Sequence, residues 1–380
     1  MKIAIIDISN KVPFYDSALC HAIADNIDRG DTFKYLAPYN SYTDGNNWYK
    51  RLFSFVPKSM SKSYSKARKI LKCLETGANY LYILFYLKFN SIDVAHFQWF
   101  PFLDYSILEV FILKLLRLIC PKMKIVFTDH NIIPHDLSEA AAAKYKERFS
   151  KITPYIDRYI VHTESSKDEL SQIFGVDKEI IDVVYHGIFT SEYKPSTKEI
   201  DYSNIRFTMF GSQSYYKGTD IFIDAIDSLT AEQKEHISVT IIGPTSENLY
   251  REYGDKATKN NIEWINNWVT MDQLQNTIDR SDVIVLPYRS ISQSGVLLQA
   301  LYFKKIIIAS DLPSFKETLK GFTDDMFFKS GDKESLKALI TNHMNKNVDL
   351  KVQRESIEHL NELYSWRLSA SNTLKCYYKV

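Results

Sequence analysis

Short apolar runs rich in β-branched and aromatic residues alternate along this chain with longer stretches of helical period. The runs predict strands at 2–9, 33–38, 93–98, 124–129, 158–163 and 182–186. After a polar stretch, YKPSTKEIDYSN (193–204), they resume at 205–210, 238–243, 262–266, 282–287 and 305–310. Several (VTIIG, VIVLP, IIIAS) are apolar on both faces, as strands of a parallel sheet covered by helices on both sides must be. The pattern predicts an α/β chain of two doubly wound, Rossmann-like domains. Their expected bounds are 1–192 and 200–362, and a last helix, 363–380, has no strand after it and is free to pack back on the first domain. In open α/β sheets ligands lie beyond the carboxyl ends of the strands, so the cleft between two such domains is the expected site.

Composition narrows this little. The 380 residues exceed one ordinary core, and 45% hydrophobic with 24% charged residues is globular. A net charge of +1 gives no global field for nucleic acid. Cys20, Cys73, Cys120 and Cys376 lie too far apart for metal or redox spacing and read as reduced thiols of a cytoplasmic protein. The opening MKIAIIDIS reads as a strand rather than a signal peptide. The nearest approach to a membrane span, YSILEVFILKLLRLIC (105–120), contains Glu109, Lys114 and Arg117 and reads as a buried or half-buried helix. One local feature stands out. Residues 57–72 carry Lys58, Lys62, Lys66, Arg68, Lys69 and Lys72 with no acid, and NYLYILFYLKF (79–89) follows. Such a pair suits contact with an anionic membrane surface; the plainer reading is a solvated helix followed by a core helix.

The strand ends carry the candidate chemistry. Strand 205–210 is followed by FGSQSYYKGTD: Gly211 leaves the strand, Lys217-Gly218 follows, and Thr219 or Asp220 is placed to cap a helix. A lysine at a helix start suits phosphate oxygens, although Lys-Gly is also an ordinary turn and the order is not that of a Walker A loop. Strand 282–287 is followed by PYRSISQSGVLLQALYF. Here Ser294 is an N-cap candidate and Gly295 and Val296 begin a helix whose free N–H groups and dipole form an anion cradle that fits a diphosphate. That helix is apolar nearly all round and so predicted buried. Gln299 within it then needs a partner, either neighbouring backbone or ribose hydroxyls. In the first half, His96 and Trp99 (VAHFQWFPF), Asp129, His130, Asn131 and His135 (VFTDHNIIPHD), His162 (VHTESSKDEL) and His186 (VVYHG) fall at strand ends. A lone histidine there is usually structural; several at one end of one sheet predict a lined cleft. Ser166-x-x-Glu169 reads as a capping box. No pair has the HExxH spacing of a zinc site, so no metal is expected.

Together these stretches resemble the family 4 glycosyltransferases, retaining enzymes of the GT-B fold. The resemblance is strongest in FGSQSYYKGTDIFIDAI, IIGPTSE, WINNWVTMDQLQNTIDRSDVIVLPYRSISQSGVLLQALYFKKIIIASDLPSFKE and FFKSGDKESLKALI, and looser in AHFQW, TDHNIIPHD, VHTESSKDEL and YHG. The Pro-Tyr-Arg … Gln-Ser-Gly-Val stretch is most similar to a subgroup common in bacterial surface-polysaccharide gene clusters, and the terminal YSW helix resembles the family's crossover helix. The resemblance implies transfer of a sugar from a nucleotide-diphosphate sugar (UDP or GDP) to a hydroxyl of a saccharide or lipid-linked saccharide, without a metal or other cofactor. By position it implies that Gly211, Lys217, Ser294, Gly295, Val296 and Gln299 bind the donor. Lys217 and His130 would act at the reacting centre, and His96, Trp99, Asn131, His135 and His186 would lie on the acceptor side or in the cleft. Two departures stand out. The family's Arg before the Lys is missing, Ser212 and Ser214 standing there, with Arg289 as a substitute cation. The first glutamate of its E-x7-E pattern falls at Ile291 and the second at Gln299. These departures also suit a non-catalytic GT-B partner that binds nucleotide or another transferase. A sugar-nucleotide epimerase would need a carboxylate pair, and none matches.

Overall fold

The computed structural model describes residues 1–39, 42–55, 66–134, 137–188, 193–196, 199–291 and 294–380, without the side chains of Lys66, Ala67, Lys69 and Asp325. It divides into two compact units, Met1–His186 with Trp366–Val380, and Gly187–Ser365.

The first unit is a seven-stranded sheet of order β3-β2-β1-β4-β5-β6-β7. Its strands are β1 (Lys2–Ile6), β2 (Thr32–Ala37), β3 (Tyr49–Arg51), β4 (Val94–Phe97), β5 (Lys124–Thr128), β6 (Arg158–Val161) and β7 (Ile181–Val183). Every pairing is parallel, so successive side chains enter opposite, helix-covered layers. Ala4, Ile6, Ala95, Phe97, Ile125 and Phe127 join one core with the helices Lys66–Phe89 and Leu108–Ile119. Ile3, Ile5, Phe33, Tyr35, Val94 and Val126 join the other. That second core is closed by Tyr15, Leu19 and Ile23 of the helix Pro13–Asn26 and by Ala370, Leu374 and Tyr377 of the last helix, Trp366–Tyr378.

The second unit is a six-stranded sheet of order β10-β9-β8-β11-β12-β13, again all parallel. Its strands are β8 (Ile205–Phe210), β9 (Ile237–Ile242), β10 (Glu263–Ile265), β11 (Val283–Leu286), β12 (Ile306–Ser310) and β13 (Phe327–Phe328). In both sheets the strand order reverses beside the first strand, between β1 and β4 and between β8 and β11. Loops at that reversal diverge and leave room for a ligand.

The apolar runs predict eleven of these strands; β3 and β13 are additions. Both are short edge strands, of three and two residues, too brief for a period to register. Two caps differ from the expected ones. The helix Glu164–Phe174 is capped by Thr163, whose Oγ1 accepts from Ser166 N at 3.1 Å, three residues before the expected box. The helix Thr219–Asp227 has Gly218 at its N-cap, which releases Thr219 and Asp220 for other bonds.

Candidate active site

The loops after β8 and β11, at the reversal of the second sheet, bring most of the expected donor residues together. Gly211 leaves β8 with φ +93°, and a Cβ there would lie 3.5 Å from Lys217 Nζ and 3.1 Å from Val296 Cγ2. The empty face of this glycine is therefore walled by the ammonium on one side and the start of the helix Gly295–Tyr302 on the other. Ser294 caps that helix, its Oγ accepting from Leu297 N at 3.2 Å. The N–H groups of Gly295 and Val296 have no earlier carbonyl in the helix to bond, and the helix dipole adds positive potential. Lys217 is buried, and Nζ lies 5.6 Å from the ring of buried Tyr288, a stabilising cation–π arrangement.

The predicted burial of Gln299 is corrected. Gly295, Val296, Gln299 and Tyr302 are the partly exposed residues of the described helix, and their spacing makes one stripe. Gln299 thus shares the face of the cradle, one turn along, and its amide needs no buried partner. Arg289 is also placed differently from the substitute role expected of it. Its guanidinium is bidentate to Asp220 at 2.8 and 2.6 Å and donates to Tyr215 O at 2.5 Å. It pins two loops together and is neutralised locally. Ile291 accepts from Ser314 Oγ through its carbonyl at 2.8 Å. Gln293, first of the Gln-Ser-Gly triplet, lies outside the described residues.

Gln213 has no sequence signal and proves central. Its buried amide donates to Gly211 O at 2.7 Å and accepts from Thr219 Oγ1 at 2.9 Å. It braces the Gly211–Lys217 loop from beneath.

The first unit gathers its histidines, but not as the lining of an open cleft. Tyr15 sits at their centre, its ring 4.9 Å from His130, 5.5 Å from His162, 4.7 Å from His186 and 5.3 Å from Trp366. His96 is fully enclosed, its ring nitrogens 2.7 Å from Tyr377 Oη and 2.6 Å from Thr128 Oγ1. His186 is also buried. These two support the cluster from within, whereas Trp99, His130 and Asn131 keep partial exposure. His135 lies outside the described residues.

Proton bookkeeping fixes the tautomers. His162 Nδ1 lies 2.9 Å from Val184 O, which can only accept, so Nδ1 carries the proton. Its Nε2 then accepts from His130 Nδ1 at 3.0 Å. Neutral His130 has only a lone pair left at Nε2, 3.2 Å from the end of the Gln98 amide, so the amide nitrogen of Gln98 belongs on that side. Burial, then the neighbouring His162, His186, His96 and Lys11, hold the His130 pKa well below its usual range, which keeps it neutral.

Beneath His130 lies a cavity of about 50 Å³ walled by Lys11, Trp99, Asp129, His130, Asn131 and Pro134. The indole of Trp99 stacks on His130 at 4.7 Å, and Lys11 Nζ lies 4.4 Å from the indole ring. Asp129 accepts from Asn131 N at 3.2 Å through Oδ1, and its buried Oδ2 has no hydrogen-bond partner. Burial pushes its carboxyl up from 3.8 to about 7, against the Asn131 bond. Its folded-state pKa lies above its unfolded value. The folded state therefore holds the extra proton, and the associated stability is complete below pH 4 and lost as pH rises to 7. Asp129→Asn is expected to remove that dependence, gaining about 3 kcal/mol relative to wild type between pH 4 and pH 7. Urea unfolding of both proteins across this range checks it; a constant difference would show that Asp129 titrates normally.

Residues 192–359 match the family described as glycosyl transferases group 1, and residues 55–192 match glycosyltransferase family 4. An uncharacterized 41.2 kDa protein in the cps region of Klebsiella pneumoniae is 23% identical over 308 residues, 76% of this chain and 81% of that protein. HepE of Anabaena in complex with UDP-glucose matches with a TM-score of 0.69 at 13% identity, 100% of each chain being covered. A sucrose-phosphate synthase of Thermosynechococcus elongatus matches with a TM-score of 0.73 at 13% identity, over 100% of this chain and 98% of that one. Such identities speak to fold, and the fold is GT-B, two Rossmann-like domains with parallel sheets. The fold and family matches together define a glycosyltransferase. The two family matches meet at residue 192 and together run from 55 to 359.

Proposed function

We propose that this chain transfers a sugar, with retention and without a metal, from a nucleotide-diphosphate sugar to a hydroxyl of a saccharide or lipid-linked saccharide in the assembly of a bacterial surface polysaccharide. The observation that carries the donor reading is the convergence of Lys217 Nζ, the empty face of Gly211 and the start of the Gly295–Tyr302 helix at the reversal of the second sheet. A diphosphate placed there meets one ammonium and the N–H groups of Gly295 and Val296, and Gln299 offers its amide to the ribose. HepE, solved with UDP-glucose, supports a uridine donor, and the cps-region relative supports a surface-polysaccharide product.

In this reading the bond from the anomeric carbon to the diphosphate oxygen breaks, and negative charge grows on the diphosphate. Lys217 and the two N–H groups, already in place, stabilise that charge in the transition state. The acceptor hydroxyl attacks on the leaving-group face, forms the new C–O bond and passes its proton to the departing phosphate oxygen. No side-chain base is required. His130, held neutral, offers its Nε2 lone pair to a sugar hydroxyl once Gln98 yields.

Calorimetric titration with UDP, GDP and their sugars tests this, with Lys217→Ala as control. Binding of one nucleotide in the micromolar range, lost in the variant, is expected. No binding at millimolar nucleotide would overturn the donor site and leave the non-catalytic partner as the reading.

A further inference from the structure

The helix Lys66–Phe89 buries Tyr80, Ile83, Leu84 and Leu87 against the first sheet. Its opposite face is also apolar. Ile70, Leu74, Leu81, Phe85 and Phe89 are all exposed, Phe89 by 79%, and the Phe85 and Phe89 rings stack in the open at 6.1 Å. The neighbouring helix Leu108–Ile119 repeats the pattern. It buries Leu113 and Leu116 and exposes Phe111, Leu115 and Leu118, the last by 77%.

The two stripes lie side by side. Tyr80 Oη donates to Glu109 Oε1 at 3.1 Å and Lys88 Nζ to Ile119 O at 2.7 Å, which aligns the second helix with the carboxyl-terminal half of the first. Exposed Phe53 and Phe55, stacked at 5.9 Å, extend the face: Phe55 N donates to Glu75 Oε2 at 2.6 Å, and Phe53 N to Asn79 Oδ1 at 2.8 Å. A continuous exposed apolar face of this kind is what a free-standing soluble surface avoids.

Charge identifies the occupant. Residues 66–89 hold five cations (Lys66, Arg68, Lys69, Lys72 and Lys88), and 105–124 hold four (Lys114, Arg117, Lys122 and Lys124). The acids of the two stretches are Glu75 and Glu109, and both are buried. Arg117 and Lys124 are drawn to Asp157 and Lys72 to Glu75; the remaining cations of these stretches accompany the apolar side chains, and neither helix adds an exposed carboxylate. This is the composition of a helix lying in the headgroup region of an anionic bilayer. No described helix is long and apolar enough to cross one.

We propose that the Lys66–Phe89 and Leu108–Ile119 helices form the surface by which the first unit docks on an anionic lipid bilayer. A crossover helix starts at the carboxyl end of the strand before it, so the basic end of Lys66–Phe89 lies at the same end of the sheet as Trp99, Asp129 and His130. Docking there brings those residues to the lipid surface, where a lipid-linked acceptor would be presented. The proposal deepens the membrane-side acceptor above. Vesicle binding needs no nucleotide and nucleotide titration needs no vesicle, so the two readings fail separately.

The test is co-sedimentation of the full chain with phosphatidylglycerol-containing or pure phosphatidylcholine vesicles at low salt. Wild type is expected to sediment with the anionic vesicles. Phe85→Ser with Phe111→Ser should lose most of that binding with an unchanged melting temperature, because both rings are outside the core. Lys114→Gln with Lys122→Gln should weaken it roughly fivefold per lysine and only on anionic vesicles. Wild type remaining in the supernatant, or the Phe pair sedimenting as wild type does, overturns the proposal. So does a dimer in sedimentation velocity that the Phe pair abolishes, which would assign the face to a second copy of this chain.

Discussion

Lys217→Ala is expected to lower turnover about 100- to 1,000-fold with the fold intact. Electrostatic reasoning puts this weight on one side chain. A diphosphate leaving group gathers charge, and the cradle described here answers it with Lys217, two backbone N–H groups and a helix dipole. The other cation at these loops, Arg289, is bound in two hydrogen bonds to Asp220 and a third to Tyr215 O. Its charge is thereby shared with Asp220, which lowers what it can add to a diphosphate compared with an unpaired arginine. The fold is expected to survive, because Lys217 is one residue of a single short turn, Tyr215–Lys217, in the loop after β8. The measurement is steady-state turnover with the donor named by titration, alongside thermal melts. A fall in kcat with an unchanged melting temperature supports the assignment. A near-normal rate would remove Lys217 from the site.

The two sheets were legible because their central strands are apolar on both faces, a pattern few other structures share. The edge strands β3 and β13 were not, since two or three residues carry no period. The donor loops were legible where chemistry and local structure coincide, as in Ser294-Gly295, a cap and a helix start together. They were not where the determinant is a long-range bond. The Asp220–Arg289 pair spans 69 positions and has no local trace. Gln213 resembles any loop glutamine until its bonds to Gly211 O and Thr219 Oγ1 are known. Gln299 reads as buried because its helix is apolar nearly all round. Its exposed stripe is only four residues, two of which are Gly295 and Val296. The histidines taught the opposite lesson. Alternation along β4 puts His96 on the same side as Val94, within the layer closed by the last helix. That parity was present in the sequence, and reading it would have placed His96 inside.

The geometry that joins the two donor loops gives the sharpest structural prediction. Gly218 holds φ +73°, and a Cβ on it would lie 1.8 Å from Pro287 O and 2.7 Å from Pro287 C, a contact with backbone that no side-chain rotation relieves. Gly218→Ala must therefore move the loop after β8 away from the residue that follows β11. The bond from Arg289 N to Tyr216 O, 2.7 Å, spans the same gap and would be lost with it. Left-handed strain alone is worth about 1–2 kcal/mol, and the displaced backbone adds to it, so destabilisation on the order of 3 kcal/mol or more is expected. Gly175→Ala is the control. It has a similar φ of +65° but nothing within 4 Å of the added Cβ, so it should show the backbone term alone. Nucleotide affinity separates the two further. Gly218→Ala pulls Lys217 from the Gly295–Val296 end of the cradle and should abolish binding without altering any group proposed to touch the donor. Gly175→Ala, in the other unit, should leave binding unchanged. Urea unfolding and nucleotide titration of the two variants decide it. If Gly218→Ala proves no more harmful than Gly175→Ala, the loops after β8 and β11 are not locked by this contact, and the cradle must be held together by Gln213 and the Arg289–Asp220 pair instead.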